Sequence, residues 1–386
     1  MAKRQEQETA SSTITEVGPG IIRMQLPIHM PGLGHVNMYA LLDSNGAAVI
    51  DPGLPGRFTW RAIEDRLKQA DLKPKDVHTV LITHSHPDHF GGARRFVEEH
   101  GAKVVAHESF RFGLAKSIIE RQPEVSVNDL EAHADATQPD HEAAEHTHTD
   151  HAGHHNGHDH DGHDHDGHDH GDGGWWGGPS PWGGQQPRPP LNRRLLWSVM
   201  RMLGGRMSVP EISHPVAEGD WLTLAGRQMR VLHTPGHTPD HFCLHDPEAE
   251  IFIAGDHVLP TITPHISGIS SSADPLLAFF ASLDAAGAIP NVSQVLPAHG
   301  HPFADLAERT EAIKAHHVER LEKIQEISRM FGRPANVTEF TRHLFRKRSW
   351  GSMAESETYA HLEHLRLAGD AESTRDRQGM LLYTTG

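Results

Sequence analysis

Thr83-His84-Ser85-His86-Pro87-Asp88-His89 places three imidazoles and a carboxylate within six residues, directly behind the apolar run Val80-Leu81-Ile82. Imidazole nitrogen and carboxylate oxygen are the usual donors to zinc, and so compact a group lets one turn wrap a cation. Three more candidate ligands follow, each behind its own apolar run. Met229-Arg230-Val231-Leu232 precedes His237, Ile251-Phe252-Ile253 precedes Asp256, and Val295-Leu296 precedes His299. A fifth run, Ala48-Val49-Ile50, leads into Asp51. Apolar runs of this length bounded by Gly and Pro predict buried strands. Five strands with turn chemistry at their ends bring these polar residues to one rim of a sheet core, and Gly53, Gly92, Gly236, Gly255 and Gly300 let the backbone turn sharply beside them.

Taken in order, Asp51, the pattern His-x-His-x-Asp-His at His84 to His89, His237, Asp256 and His299 resemble the metallo-β-lactamase superfamily over roughly residues 15 to 305. The resemblance implies an α/β chain built as an αββα sandwich. It implies two zinc ions, with iron or manganese as alternatives: His84, His86 and His237 on one, Asp88, His89 and His299 on the other, Asp256 bridging both. Asp51 is expected behind the ligands, orienting an imidazole through its other ring nitrogen. His241, in Pro239-Asp240-His241, is the nearest further imidazole expected in that supporting layer. Two adjacent cations activate water near neutral pH and polarise the bond under attack, so no serine or cysteine nucleophile is needed. Asp88 is the candidate for accepting the proton of the attacking water.

The chain is long for one domain at 386 residues. The expected organisation is a flexible stretch at 1–14, a catalytic domain at 15–305 interrupted by an insertion at 131–190, and a C-terminal domain at 306–386. The single cysteine, Cys243 in His241-Phe242-Cys243-Leu244, excludes an internal disulfide and reads as a buried strand thiol. Met1 to Gly20 is polar without an apolar segment, so the expectation is a cytoplasmic protein with no membrane span. The net charge of −16 is unevenly spread: no Lys or Arg lies between Arg121 and Arg188, while residues 129 to 172 carry thirteen Asp and Glu. The remainder is close to neutral, and global charge says little about the substrate.

From His133 to His170 the chain is crowded with histidine, ending in near-repeats of Asp-Gly-His-Asp-His, and Gly171 to Pro190 is rich in Gly, Trp and Pro. Such composition cannot bury enough apolar surface to offset ordering entropy and predicts a flexible insertion. It reads either as a tether that captures zinc or as a solvated spacer. Leu191, Leu195, Val199 and Met202 then fall on one helical face, with Arg193, Arg194 and Arg201 elsewhere. This segment reads either as a surface helix or as a lid whose arginines meet an anionic substrate tail.

Beyond Leu306, Thr310 to Met330 shows helical spacing, Val337-Thr338-Glu339-Phe340 opens a second helix, Glu355 to Leu367 makes a third, and Met380 to Tyr383 suggests a hairpin. Helices followed by a hairpin look like the winged-helix appendage of hydrolases similar to the LACTB2-like group. Residues 304 to 386 balance thirteen basic against thirteen acidic side chains, a poor footprint for nucleic acid despite Arg346-Lys347-Arg348. Packing or homodimerisation is the favoured role. The expected activity is hydrolysis of a small acyl ester or thioester, such as a glutathione or coenzyme A conjugate. Single-strand RNA cleavage is the runner-up, and lactone hydrolysis, mononuclear iron sulfur dioxygenation and non-catalytic zinc storage rank below.

Overall fold

The strands form from apolar runs that are buried on both faces, and their alternation sorts the side chains into three layers. In the strand Gly46–Ile50, Ala47 and Val49 face one core while Ala48 and Ile50 face another. In the strand Ile251–Gly255, Ile251 and Ile253 enter the second of these cores, and Phe252 and Ala254 a third. Period-two alternation with both faces apolar is what a sheet covered on both sides requires.

The computed structural model describes residues 4–30, 32–112, 180–183 and 210–386, apart from the side chains of 29 and 30. One sheet runs β1 (Thr15–Gly18), β2 (Ile21–Met30), β3 (Leu33–Asp43), β4 (Gly46–Ile50), β5 (Val77–Leu81), β6 (Lys103–His107) and β7 (His214–Val216) in spatial order. The other runs β12 (Gln294–Pro297), β11 (Ile251–Gly255), β10 (Phe242–Asp246), β9 (Arg227–His233) and β8 (Trp221–Leu224). Tyr39, Leu81 and Val105 of the first sheet meet Phe242, Leu244 and Leu296 of the second in the central core. Helices α1 (Arg57–Gln69), α2 (Pro87–Phe90) and α3 (Ala93–His100) follow the first sheet's strands, and Trp60, Ile63, Phe90 and Phe96 seal its outer face. The outer face of the second sheet packs Cys243, Phe252 and Val295 against Phe279 and Leu283 of α4 (Pro275–Gly287) and Ile313 of α5 (Leu306–Phe331). The result is the αββα sandwich.

The helix expected from Thr310 begins earlier, at Leu306, because Leu306 is buried in the same core as Ile313. α6 (Val337–Leu344) opens with a reciprocal cap in which Asn336 accepts from Glu339 N–H at 3.0 Å and Glu339 from Asn336 N–H at 2.9 Å. α7 (Ser352–Leu367) follows, and the tail forms β14 (Ala371–Arg375) and β15 (Leu381–Thr385), with β13 (Ala335–Asn336) on the far side of β15.

Within the stretch expected to be flexible, Ser180–Gly183 has a fixed place. Trp182 is buried with Phe340, Tyr359 and Tyr383, and its carbonyl accepts from Leu381 N–H at 2.9 Å. A large indole gains enough by burial to offset the ordering of a short segment. The rest of the expected insertion 131–190, namely 131–179 and 184–190, and the segment Leu191–Leu203 lie outside the described residues. No helix among the described residues is long and apolar enough to cross a membrane.

Candidate metal centre

The predicted ligands follow the ends of β5, β9, β11 and β12, on turns or, for Asp88 and His89, in the short helix α2. Asp51 ends β4 with φ 54°, a left-handed conformation that costs a non-glycine residue roughly 1–2 kcal/mol. Its carboxylate holds it there. Oδ1 accepts from Thr83 N–H at 2.9 Å, and Oδ2 accepts from the Thr83 hydroxyl at 2.8 Å and from His89 Nδ1 at 2.9 Å. Because that hydroxyl proton is committed to Asp51, Thr83 Oγ1 accepts from His84 Nδ1–H at 3.1 Å. One carboxylate thereby fixes the tautomer of two imidazoles, leaving the Nε2 lone pair of each pointing inward.

The same device recurs with main-chain carbonyls. His237 Nδ1 donates to His265 O at 2.8 Å, and His299 Nδ1 donates to His35 O at 2.6 Å. Asn37 Nδ2 donates to the carbonyls of Pro297 and Gly300 at 2.8 and 2.9 Å, and the Tyr39 hydroxyl also donates to Pro297 O, which fixes the turn carrying His299. Asp256 is positioned by His241, whose Nε2 accepts from Asp256 N–H at 3.0 Å while its Nδ1 donates to Thr234 Oγ1 at 2.7 Å. The preceding Gly255 has φ 51°, and a Cβ there would stand 2.5 Å from His241 Nε2, so only glycine lets the ring reach.

Seven side chains converge as a result. His84, His86, His237 and Asp256 form one group, and Asp88, His89 and His299 a second. Within the first, His86 Nδ1 lies 3.0 Å from His84 Nε2 and 3.1 Å from His237 Nε2. In the second, Asp88 Oδ2 lies 3.6 Å from the Nε2 atoms of both His89 and His299. The Asp256 carboxylate spans the two: Oδ2 is 3.5 Å from His237 Nε2 and 3.5 Å from His89 Nε2, and Oδ1 is 3.3 Å from His299 Nε2.

The donor set fits a pair of cations. His89 Nε2, His299 Nε2 and Asp256 Oδ1 are buried with no hydrogen-bond partner, a costly arrangement that a shared cation resolves. Burial, reinforced by neighbouring imidazoles, holds His84 and His86 well below their ordinary value, so they are neutral donors. Burial also lowers His89 and His299, but the carboxylates, Asp256 foremost, outweigh it and raise both. Asp256 is held well below the usual carboxylate range because His299 and His89 outweigh its burial. The second group is therefore rich in negative charge, and a cation takes the place of the protons it attracts.

Asp51 and His241 thus stand behind the ligands, touching His89 and the Asp256 backbone. Arg193, Arg194 and Arg201 lie outside the described residues. Cys243 is buried in β10, and burial pushes its thiol up. Thr83, His35, Asn37 and His265 also act here. Thr83 was within sight of the motif, whereas His35 and His265 act through carbonyls, which side-chain identity does not advertise. Asp240 lies just outside the cluster: its Oδ1 accepts from the Ser85 hydroxyl at 3.0 Å, and burial pushes its carboxyl up to about 6.

The profile of the metallo-beta-lactamase superfamily matches residues 31–144. A metallo-beta-lactamase family protein of Thermus thermophilus shares the fold with a TM-score of 0.65 and 25% identity, over 96% of this chain and 100% of that one. A hydroxyacylglutathione hydrolase of Rhizobium meliloti is 33% identical over 66 residues, 17% of this chain and 26% of its own. The acyl-coenzyme A thioesterase MBLAC2 of Gallus gallus is 46% identical over 46 residues, 12% of this chain and 17% of its own. The chain therefore spans about a third or less of the length of these curated relatives. A likeness that runs the whole length of both chains, joined to a superfamily profile across the His-x-His-x-Asp-His turn, gives this chain the metallo-β-lactamase fold, with residues 31–144 similar to that superfamily.

Proposed function

We propose that this protein is a zinc-dependent hydrolase of small acyl thioesters or esters. The observation that carries the metal-dependent part is the bridged seven-ligand cluster with its buried, partnerless Nε2 and Oδ1 atoms. All donors are imidazole or carboxylate, which suits zinc. A bound zinc pair supplies an acidified water and polarises the carbonyl under attack. The chain's own contribution is orientation: Asp51, His265 and His35 fix the imidazoles so that no reorganisation is needed during turnover. In this reading Asp88, buried in the second group, takes the proton of the attacking water and returns it to the leaving thiol or alcohol.

The thioester part is supported by the segments similar to a hydroxyacylglutathione hydrolase and to an acyl-coenzyme A thioesterase. RNA cleavage is the second reading, favoured by one surface feature. Arg346, Lys347 and Arg348 are exposed beside the half-exposed Trp350, over whose ring Arg342 lies at 5.7 Å. The deciding experiment is a panel of thioesters, lactones, phosphodiesters and single-stranded RNA with zinc-loaded protein. Turnover of thioesters with RNA intact is the expected result. RNA cleavage that weakens with salt while all thioesters and lactones are inert would overturn it.

A further inference from the structure

The segment Gln5–Glu8 reaches the turns behind two ligands of different groups. Gln5–Gln7 makes a single tight turn beside β3. The crossing falls at Gly34, where a Cβ would stand 2.0 Å from Glu8 O, so glycine is required there. From this turn the buried Glu6 grips the stretch that leads to His265. Its Oε1 accepts from Thr261 N–H and Ile262 N–H at 2.8 and 3.2 Å, and its Oε2 from the Thr261 hydroxyl. His265 O in turn accepts from His237 Nδ1. The second contact works through a tautomer. Glu8 O can only accept, so His35 Nδ1, 2.9 Å away, carries the proton and donates it. His35 Nε2 is then an acceptor, and Gly300 N–H donates to it at 3.2 Å. Because the His35 carbonyl accepts from His299 Nδ1, this one buried residue grips the His299-Gly300 turn twice, by main chain and by ring. Gln5 Oε1 adds a bond from His301 N–H at 3.1 Å.

We propose that Gln5–Glu8 is a strap that sets the metal affinity of both ligand groups, with Glu6 positioning His237 and the His35 ring, held by Glu8, positioning His299. This role rests on the metal centre and is independent of the substrate. Rings already held in the binding orientation need no ordering when a cation enters, and partners outside the ligand shell contribute to affinity in this way.

The test uses the full chain and two readouts, zinc affinity by chelator competition and the rise in thermal unfolding midpoint that zinc produces. Zinc held by the histidine-rich stretch is common to all the proteins compared and cancels. Glu6→Ala and His35→Phe, the latter keeping the His35 carbonyl, should each weaken zinc binding on the order of tenfold. Zinc should also raise their midpoints less than that of wild type, because stabilisation by a ligand follows its affinity. Glu6→Gln keeps an acceptor for the Thr261 and Ile262 N–H groups and should recover most of the loss. Gly34→Ala, whose Cβ displaces the strap from β3, should show the same weakening and serves if either of the first two variants fails to fold. A segment that merely stabilised the fold would behave differently: its variants would lower the midpoints of the metal-free and zinc-loaded proteins equally and leave zinc affinity unchanged, and that result would overturn the proposal. A wild type that takes up no zinc would defeat the metal centre itself, and the strap's role with it.

Discussion

Asp256 is where the two ligand groups meet, its carboxylate lying against His237 on one side and His89 and His299 on the other. Asp256→Ala should lose both metals, or one metal and the coupling between them, and hydrolysis should fall by orders of magnitude; metal analysis and turnover on the same preparation check this. Asp51 acts at one remove. Asp51→Asn replaces an acceptor shared by His89 and Thr83 with a half-donor, so metal affinity should fall about 10- to 100-fold, read by competition with a chelator. Unchanged affinity would mean that the imidazoles are oriented without it. The ligands themselves were legible in the sequence because metal chemistry restricts which side chains serve and because each follows an apolar run. His265 and His35 were not, since any residue has the carbonyl they use.

The turn from Leu259 to His265 shows how elements far apart in sequence serve one ligand. Glu6 near the N-terminus, itself buried, accepts from Thr261 N–H at 2.8 Å and Ile262 N–H at 3.2 Å, Arg309 of α5 grips two of its carbonyls, and Glu357 of α7 pairs with His265. Burial pushes the Glu357 carboxyl up, but His265 and Arg320 outweigh it and hold it well below the usual range. A carboxyl depressed in this way contributes stability above its unfolded value, about 4.3, and loses it as pH falls towards the folded value. Glu357→Gln should therefore unfold about 3 kcal/mol more easily at pH 7, with the gap to wild type narrowing below about pH 4, as urea titrations at both pH values would show. A gap independent of pH would refute this assignment of the ion pair. Trp182 makes the matching contribution in the C-terminal core. Trp182→Ala should cost about 3–5 kcal/mol in the same titration, and a cost near zero would show that the 180–183 segment does not anchor the chain. Its composition read as flexible because the Gly and Pro around it masked one apolar side chain with a pocket to fill.

At the level of the whole molecule, the four strands that lead into ligands and a fifth that leads into Asp51 were visible as apolar runs, and with them the sandwich. The outer helices and the long strands β2 and β3 announce themselves less, because their apolar residues are interleaved with Arg23, Gln25, Asn37 and other polar side chains whose partners lie elsewhere in the fold. Residues 133–178 supply none of the seven ligands. Replacing them with a Gly/Ser linker, while keeping Ser180–Gly183, should preserve turnover in excess zinc. Earlier failure of that variant when zinc is scarce would support the tether reading, and equal behaviour at every zinc concentration the spacer reading. The same variant removes the histidine-rich stretch as a competing metal binder and so permits the most direct test of the central claim, a metal count per chain on the purified, dialysed protein. Two ions per chain, both dependent on Asp256, are predicted; a single ion, or two that survive in Asp256→Ala, would contradict the bridged two-metal centre.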